Sequence, residues 1–138
     1  MAEDENLKVC KVVLLGESGV GKTCIIERFI NDKYEEDGIS TIAASFVEKT
    51  LKFENEACVK LQIWDTAGQE KYRALNRMFY KDTGAAILVY DVTKKESFEE
   101  IQKYWYNQLK EFSPKDISKK IFYFYFNFAV FSHWNSRK

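Results

Sequence analysis

An open, mostly parallel α/β sheet flanked by helices is the fold this sequence predicts, and three observations predict it. Short, apolar, β-branched runs at residues 9–15 and 85–90 read as buried parallel strands. A segment of helical period follows each, one after Lys22 and one through Phe98, Ile101, Trp105, Leu109 and Phe112. Between them, residues 45–53 and 58–64 alternate in polarity, the pattern of a hairpin added to such a sheet. A length of 138 residues suits one domain that buries roughly two thirds of its unfolded surface.

The first strand ends in Val12-Val13-Leu14-Leu15 and runs directly into Gly16-Glu17-Ser18-Gly19-Val20-Gly21-Lys22-Thr23, an unbroken G-x-x-x-x-G-K-[ST]. Its glycines let the backbone curl so that successive N–H groups point at phosphate oxygens. Lys22 adds a point charge, and the Thr23 hydroxyl can ligate Mg²⁺. A Gly-rich turn can match the pattern by chance, so context decides: a phosphate cradle needs a buried strand before it and a helix after it. Both are predicted here. Ile25, Ile26, Phe29 and Ile30 recur at helical spacing to about Asn31, with Arg28 on the outer face.

A polar connection, residues 32–40, contains Gly38 and leads to the hairpin. Val47, Leu51 and Phe53 fall on one side of its first strand, Val59, Leu61 and Ile63 on one side of its second, with the turn at Glu54-Asn55-Glu56. A polar stretch, residues 65–76, passes through a short helix to the continuous apolar strand 85–90, closed by Asp91. The next helix ends before Pro114. In such a sheet ligands bind at the carboxyl ends of the strands, where the cradle sits. No internal repeat and no Gly/Pro/Ser-rich linker divides the chain.

Lys+Arg and Asp+Glu balance at 21 each, so no global basic field recruits nucleic acid or an anionic membrane. Phosphate binding must be local. Cys10, Cys24 and Cys58 stand singly with only His133 as an imidazole, which argues against zinc and for reduced thiols in a cytosolic protein. The acidic start Met1-Ala2-Glu3-Asp4-Glu5-Asn6 has no apolar h-region, and the longest apolar stretch, residues 121–126, is too short to span a bilayer. A cytoplasmic location is expected.

A second motif, Trp64-Asp65-Thr66-Ala67-Gly68-Gln69-Glu70, lies just past a strand, where its carboxylate can face a Mg²⁺ held by Thr23. With this motif the chain resembles the small GTPases of the Ras superfamily. Lys60-Leu61-Gln62-Ile63-Trp64, Lys71-Tyr72-Arg73-Ala74-Leu75 and Gly84-Ala85-Ala86-Ile87-Leu88-Val89-Tyr90-Asp91 resemble the Rab branch, and Ile39-Ser40-Thr41-Ile42-Ala43-Ala44-Ser45-Phe46, together with Tyr72-Arg73-Ala74-Leu75, leans toward its early-endosomal members. The resemblance covers about residues 8–117. It implies a P-loop NTPase fold of Ras-like architecture that binds GTP or GDP with Mg²⁺ and hydrolyses GTP as a switch in endosomal vesicle transport.

Carried over by position, the resemblance gives Glu17, Ser18, Gly19, Val20, Gly21, Lys22, Thr23 and Cys24 to the nucleotide phosphates. Thr23, Thr41 and Asp65 fall to Mg²⁺, Thr41 and the Gly68 N–H to the γ-phosphate, and Gln69 to the attacking water. Loss of the γ-phosphate would release both loops, an order–disorder switch read by partners. Intrinsic turnover in Ras is very slow and a trans-acting arginine raises it about 10⁵-fold. Ser18 stands where Ras-type proteins keep a glycine. Tyr34 serves either base stacking or ordinary packing. Phe46, Trp64 and Tyr80 resemble the aromatic triad touched by Rab effectors, with exchange factors and GTPase-activating proteins on the same switches; plain packing is an alternative role for Trp64. Thr41, Gln69 and Asp65 are each ordinary residues alone, and only their order after the cradle gives them these roles. A monomer is expected.

The resemblance fails near Ser118. A family member continues through an apolar strand to Asn-Lys-x-Asp and later Ser-Ala-Lys, whereas this chain has Asn127 followed by Phe128 and Val130 in place of the Lys and Asp. The Asp accepts two hydrogen bonds from guanine in the family, so its loss predicts binding weaker by about 10²–10⁴-fold and little preference over ATP. The expected organisation is a partial Ras-like domain over residues 1–120 and an aromatic-rich divergent tail over 121–138. That tail can add a fifth strand beside residues 85–90, uncharged and open to aggregation. The last residues, Asn135-Ser136-Arg137-Lys138, lack the cysteines that carry prenyl groups in endosomal Rabs, so no lipid anchor is expected. Two readings compete with a working switch: a truncated, non-catalytic module that binds Rab partners, and an ATP-using P-loop enzyme, disfavoured by Asp65 through Gln69.

Overall fold

The computed structural model describes residues 7–31, 45–55, 57–66, 80–116 and 121–126. Strand β1 (Leu7–Leu15) lies at the centre of a five-stranded sheet of order β2-β3-β1-β4-β5. It pairs in parallel with β3 (Cys58–Asp65) on one side and β4 (Ala85–Asp91) on the other. At the edges, β2 (Ser45–Lys52) runs antiparallel to β3, and β5 (Ile121–Phe126) runs parallel to β4. The expected mostly parallel sheet is present, and so is the fifth strand beside β4.

The apolar run of β1 is explained by the period of a strand, which sends alternate residues to opposite faces. Val12 and Leu14 join Val20, Ile63, Val89 and Ile26 of α1 (Lys22–Asn31) on one face. Val13 and Leu15 join Tyr80, Ala86, Leu88 and the second helical segment on the other. With a helix over each face, no residue of the strand's second half can be polar. β1 starts two residues before the expected Val9, because the register with β3 extends to Leu7 opposite Cys58.

The second helical segment is continuous but changes pitch. It comprises α2 (Lys95–Glu100), a π-turn (Ile101–Trp105) and α3 (Tyr106–Phe112), with Tyr106 N–H bonded to Ile101 O. Ile101, Trp105 and Leu109 are all fully buried. At 3.6 residues per turn, steps of four overshoot a full turn by about 40° each, so three such positions drift off a single line. The wider i→i+5 turn takes back part of that drift and keeps all three on the sheet. The helix ends at Ser113, just before Pro114, as the sequence predicts.

The hairpin closes through Phe53 N–H to Ala57 O at 2.9 Å. Phe53 itself is half exposed, because it lies past the end of β2 rather than on the inward side with Val47 and Leu51. No helix among the described residues is long and apolar enough to cross a membrane. Leu88 sits in the centre of the core with no exposure. Leu88→Ala should therefore cost about 3 kcal/mol, read as a lower urea midpoint with unchanged m.

Candidate functional site

Because β1, β3 and β4 are parallel, their carboxyl ends open on one edge of the sheet, with Leu14 opposite Asp65 and Leu15 opposite Leu88. The loop from Gly16 to Gly21 leaves β1 at that edge and feeds α1 at Lys22. Gly16 has φ of +153°, and a Cβ there would lie 2.2 Å from the carbonyl oxygen of Val89. Only glycine lets the loop cross the end of β4 so closely. Ser18 and Gly19 form the exposed crest, whereas Val20 drops back into the core against Val12, Leu14 and Ile26.

Lys22 is nearly fully buried, and its Nζ donates to Gly16 O at 2.9 Å and Glu17 O at 2.8 Å. The ammonium is thus held inside the ring of the loop. Burial is the main influence on it and lowers its pKa to about 8, against the opposing pull of Asp65 and Glu17. Two pH effects of opposite sign follow. Without ligand the folded chain loses its Lys22 proton before the unfolded chain does, so stability rises as pH goes from about 8 toward 10.5. A bound phosphate favours the charged amine, so affinity for it is complete below about pH 8 and falls above. Denaturation and nucleotide titrations across that window should move in opposite directions.

Thr23 Oγ1 donates to Asp65 Oδ2 at 2.5 Å, joining the first turn of α1 to the end of β3. The next residue, Thr66, is buried and donates its hydroxyl to Leu14 O at 2.5 Å, which ties the end of β3 back to β1. A hydroxyl and a carboxylate side by side are hard oxygen donors, the chemistry that suits Mg²⁺ rather than a soft metal. The residues present therefore fit that ion. Cys24 is half-buried, and burial raises its thiol pKa, as do the charges of Glu27 and Asp65, so it is an inert thiol beside the site.

Of the expected site residues, the structure brings Glu17, Ser18, Gly19, Val20, Gly21, Lys22, Thr23, Cys24 and Asp65 together at this edge. Tyr34, Thr41, Gly68 and Gln69 lie outside the described residues, as do Asn127, Phe128 and Val130. The aromatic triad needs a correction. Phe46 is exposed and packs on Trp64 at 4.8 Å between centroids, and Lys11 Nζ lies 5.2 Å from the Trp64 ring. Tyr80, in contrast, is only 1% exposed. Its carbonyl accepts from the Thr83 hydroxyl at 2.8 Å, and the turn so formed directs its ring inward, stacked on Phe112 at 6.2 Å. It is a core residue and presents no surface to a partner.

The sequence gives no sign of one further participant. Trp105, on the π-turn, donates its indole N–H to Glu17 Oε1 at 2.9 Å. No motif links positions so far apart in the chain.

Residues 11–122 match the model of the Ras family. The chain is 47% identical over 111 residues to Ras-related protein Rab-22A of Homo sapiens, an alignment covering 80% of this chain and 56% of that protein. It is 45% identical over 111 residues to Ras-related protein Rab-31 of Rattus norvegicus, with the same coverage of 80% and 56%. To GTP-binding protein ypt5 of Schizosaccharomyces pombe it is 44% identical over 107 residues, 78% of this chain and 50% of that one. The chain spans about half the length of the curated relatives it matches.

Proposed function

The chain belongs to the Ras family, in its Rab branch, and on that footing we propose that it binds GTP and GDP and hydrolyses GTP as a switch in endosomal vesicle transport. The observation that carries the reading is the closed loop around Lys22 with Thr23 and Asp65 joined beside it at the strand ends. Main-chain N–H groups of Glu17 through Cys24 receive the phosphate oxygens, and the Lys22 ammonium, held in place by the Gly16 and Glu17 carbonyls, faces the β- and γ-phosphates. Thr23, Asp65 and Thr41 would hold Mg²⁺, which when bound would supply positive charge to the phosphates. Gln69 orients a water that attacks the γ-phosphorus as its bond to the bridging oxygen breaks, leaving GDP and phosphate. The Thr41 hydroxyl and the Gly68 N–H contact the γ-phosphate and are released with it, so both segments report which nucleotide is bound.

Partners read that report over the segments around Thr41 and Gln69 and over the exposed Phe46 with the partly buried Trp64 beneath it. The protein is cytoplasmic in this reading and acts at endosomal membranes through those partners.

Competition of GDP, GTP and ATP against a fluorescent GDP, with and without Mg²⁺, tests the proposal. Mg²⁺-dependent binding that favours guanine supports it; indiscriminate or absent binding overturns it. Thr23→Asn should weaken GTP binding more than GDP, because it removes the hydroxyl placed against Asp65 on the cation side. Equal effects would take Thr23 out of the metal site.

A second reading has its own support in Phe128 and Val130, which offer no carboxylate to a guanine edge. In it the chain binds Rab regulators without turning over nucleotide. Capture of an exchange factor that survives Lys22→Ala would favour this reading.

A further inference from the structure

The loop from Gly16 to Gly21 is fastened on both faces of the sheet. On the α1 side Val20 plugs into the core beside Val12, Leu14 and Ile26. On the opposite side Glu17 reaches Trp105, whose indole N–H donates to Oε1 at 2.9 Å. Trp105 has no exposed surface and is packed with Val13, Leu15 and Leu88, so its donor cannot swing away. A buried indole N–H requires an acceptor, and the one it finds belongs to the loop. Glu17 is doubly committed: its side chain accepts from Trp105 while its carbonyl accepts from Lys22 Nζ at 2.8 Å. The position of that carbonyl is therefore set from the far face of the sheet.

We propose that Trp105 is a positioning residue for the phosphate loop, holding Glu17 so that the loop keeps its curl and Lys22 its place before any ligand arrives. The inference rests on the phosphate-binding reading of that loop. Donors fixed in advance need no ordering when phosphate binds, which raises affinity without any contact between Trp105 and the ligand. The π-turn belongs to the same device, since it keeps Trp105 facing the sheet between Ile101 and Leu109.

The experiment is a double-mutant cycle on the full 138-residue chain with Trp105→Phe, Glu17→Leu and the pair. Two quantities are read: GDP affinity in Mg²⁺, and hydrogen exchange at the amides of residues 17–22 in ligand-free protein. Each single change should weaken GDP about tenfold and speed loop exchange by a similar factor, with strand β4 unaffected in Glu17→Leu. The pair should be little worse than the worse single change, because both delete one bond. Packing alone would make the effects multiply to about a hundredfold, and that result overturns the proposal. Trp105→Phe alters the core and can fail to fold; Glu17→Leu deletes the same bond from the loop side, and unchanged exchange in that variant also overturns the proposal. If the unaltered chain does not bind GDP, the nucleotide reading fails, while the ligand-free exchange comparison still decides the role of Trp105.

Discussion

Lys22→Ala is expected to lower affinity for GDP by about 10²–10³-fold while leaving the sheet folded. Truncating one partner of a desolvated charge pair typically costs 2–5 kcal/mol or more, about 1.4 kcal/mol per factor of ten. Lys22 fits that case, being nearly fully buried and already stripped of water by the loop around it. Folding stability should respond differently from affinity. Without ligand, two carbonyl bonds are lost, but so is the cost of burying an ammonium. The two effects oppose, and the melting temperature at pH 7 should move by a few degrees at most. Isothermal titration with GDP and Mg²⁺ beside thermal unfolding separates them. A loss of affinity below tenfold would mean that Lys22 is only a strut of the loop.

Gly16→Ala should damage the fold itself. Its Cβ would sit 2.2 Å from the Val89 carbonyl oxygen, and both groups are backbone, so neither can rotate aside. Overpacking of this kind costs about 1–3 kcal/mol or more, and an alanine at φ of +153° adds about 1–3 kcal/mol of strain. The expected loss is about 4 kcal/mol, a large share of a typical domain's total stability. Gly19→Ala is the internal control. It shares a positive φ of 78° but a Cβ there meets nothing within 4 Å, so only the strain of about 1–2 kcal/mol remains. Equal losses in the two variants, measured by urea unfolding, would remove the β4 contact from the account.

What the sequence made legible was local. The strand before the cradle, the helix after it and the hairpin each follow from a period or a fixed spacing within about fifteen residues, and each lies within a residue or two of its expected bounds. The meeting of Thr23 with Asp65 was also foreseeable, because the loop and helix that follow β1 and the last residue of β3 share the carboxyl edge of the sheet. Contacts between distant positions left no trace. Neither the approach of Gly16 to Val89 nor the bond from Trp105 to Glu17 alters any local pattern, since a glycine in a motif and a tryptophan on an apolar helix face are ordinary where they stand. Tyr80 was misplaced for a related reason. Its place in the aromatic triad came from the resemblance alone, which does not say which way the ring faces; the Thr83 hydroxyl and Phe112 go with a ring turned inward.

The π-turn at Ile101–Trp105 makes the helix sensitive to length as well as to composition. Deleting one residue within it would restore an ordinary α-helical count and place Leu109 about two turns from Ile101, on the same face. Inserting one would instead rotate everything that follows by about 100° and swing Leu109 and Phe112 off the sheet, although every original side chain would be unchanged. Substitutions at exposed Gln102 and Lys103, and removal of either one, should be tolerated far better than an insertion beside them. In this segment the spacing between residues is itself under constraint, and an insertion is a heavier lesion than a deletion or most replacements.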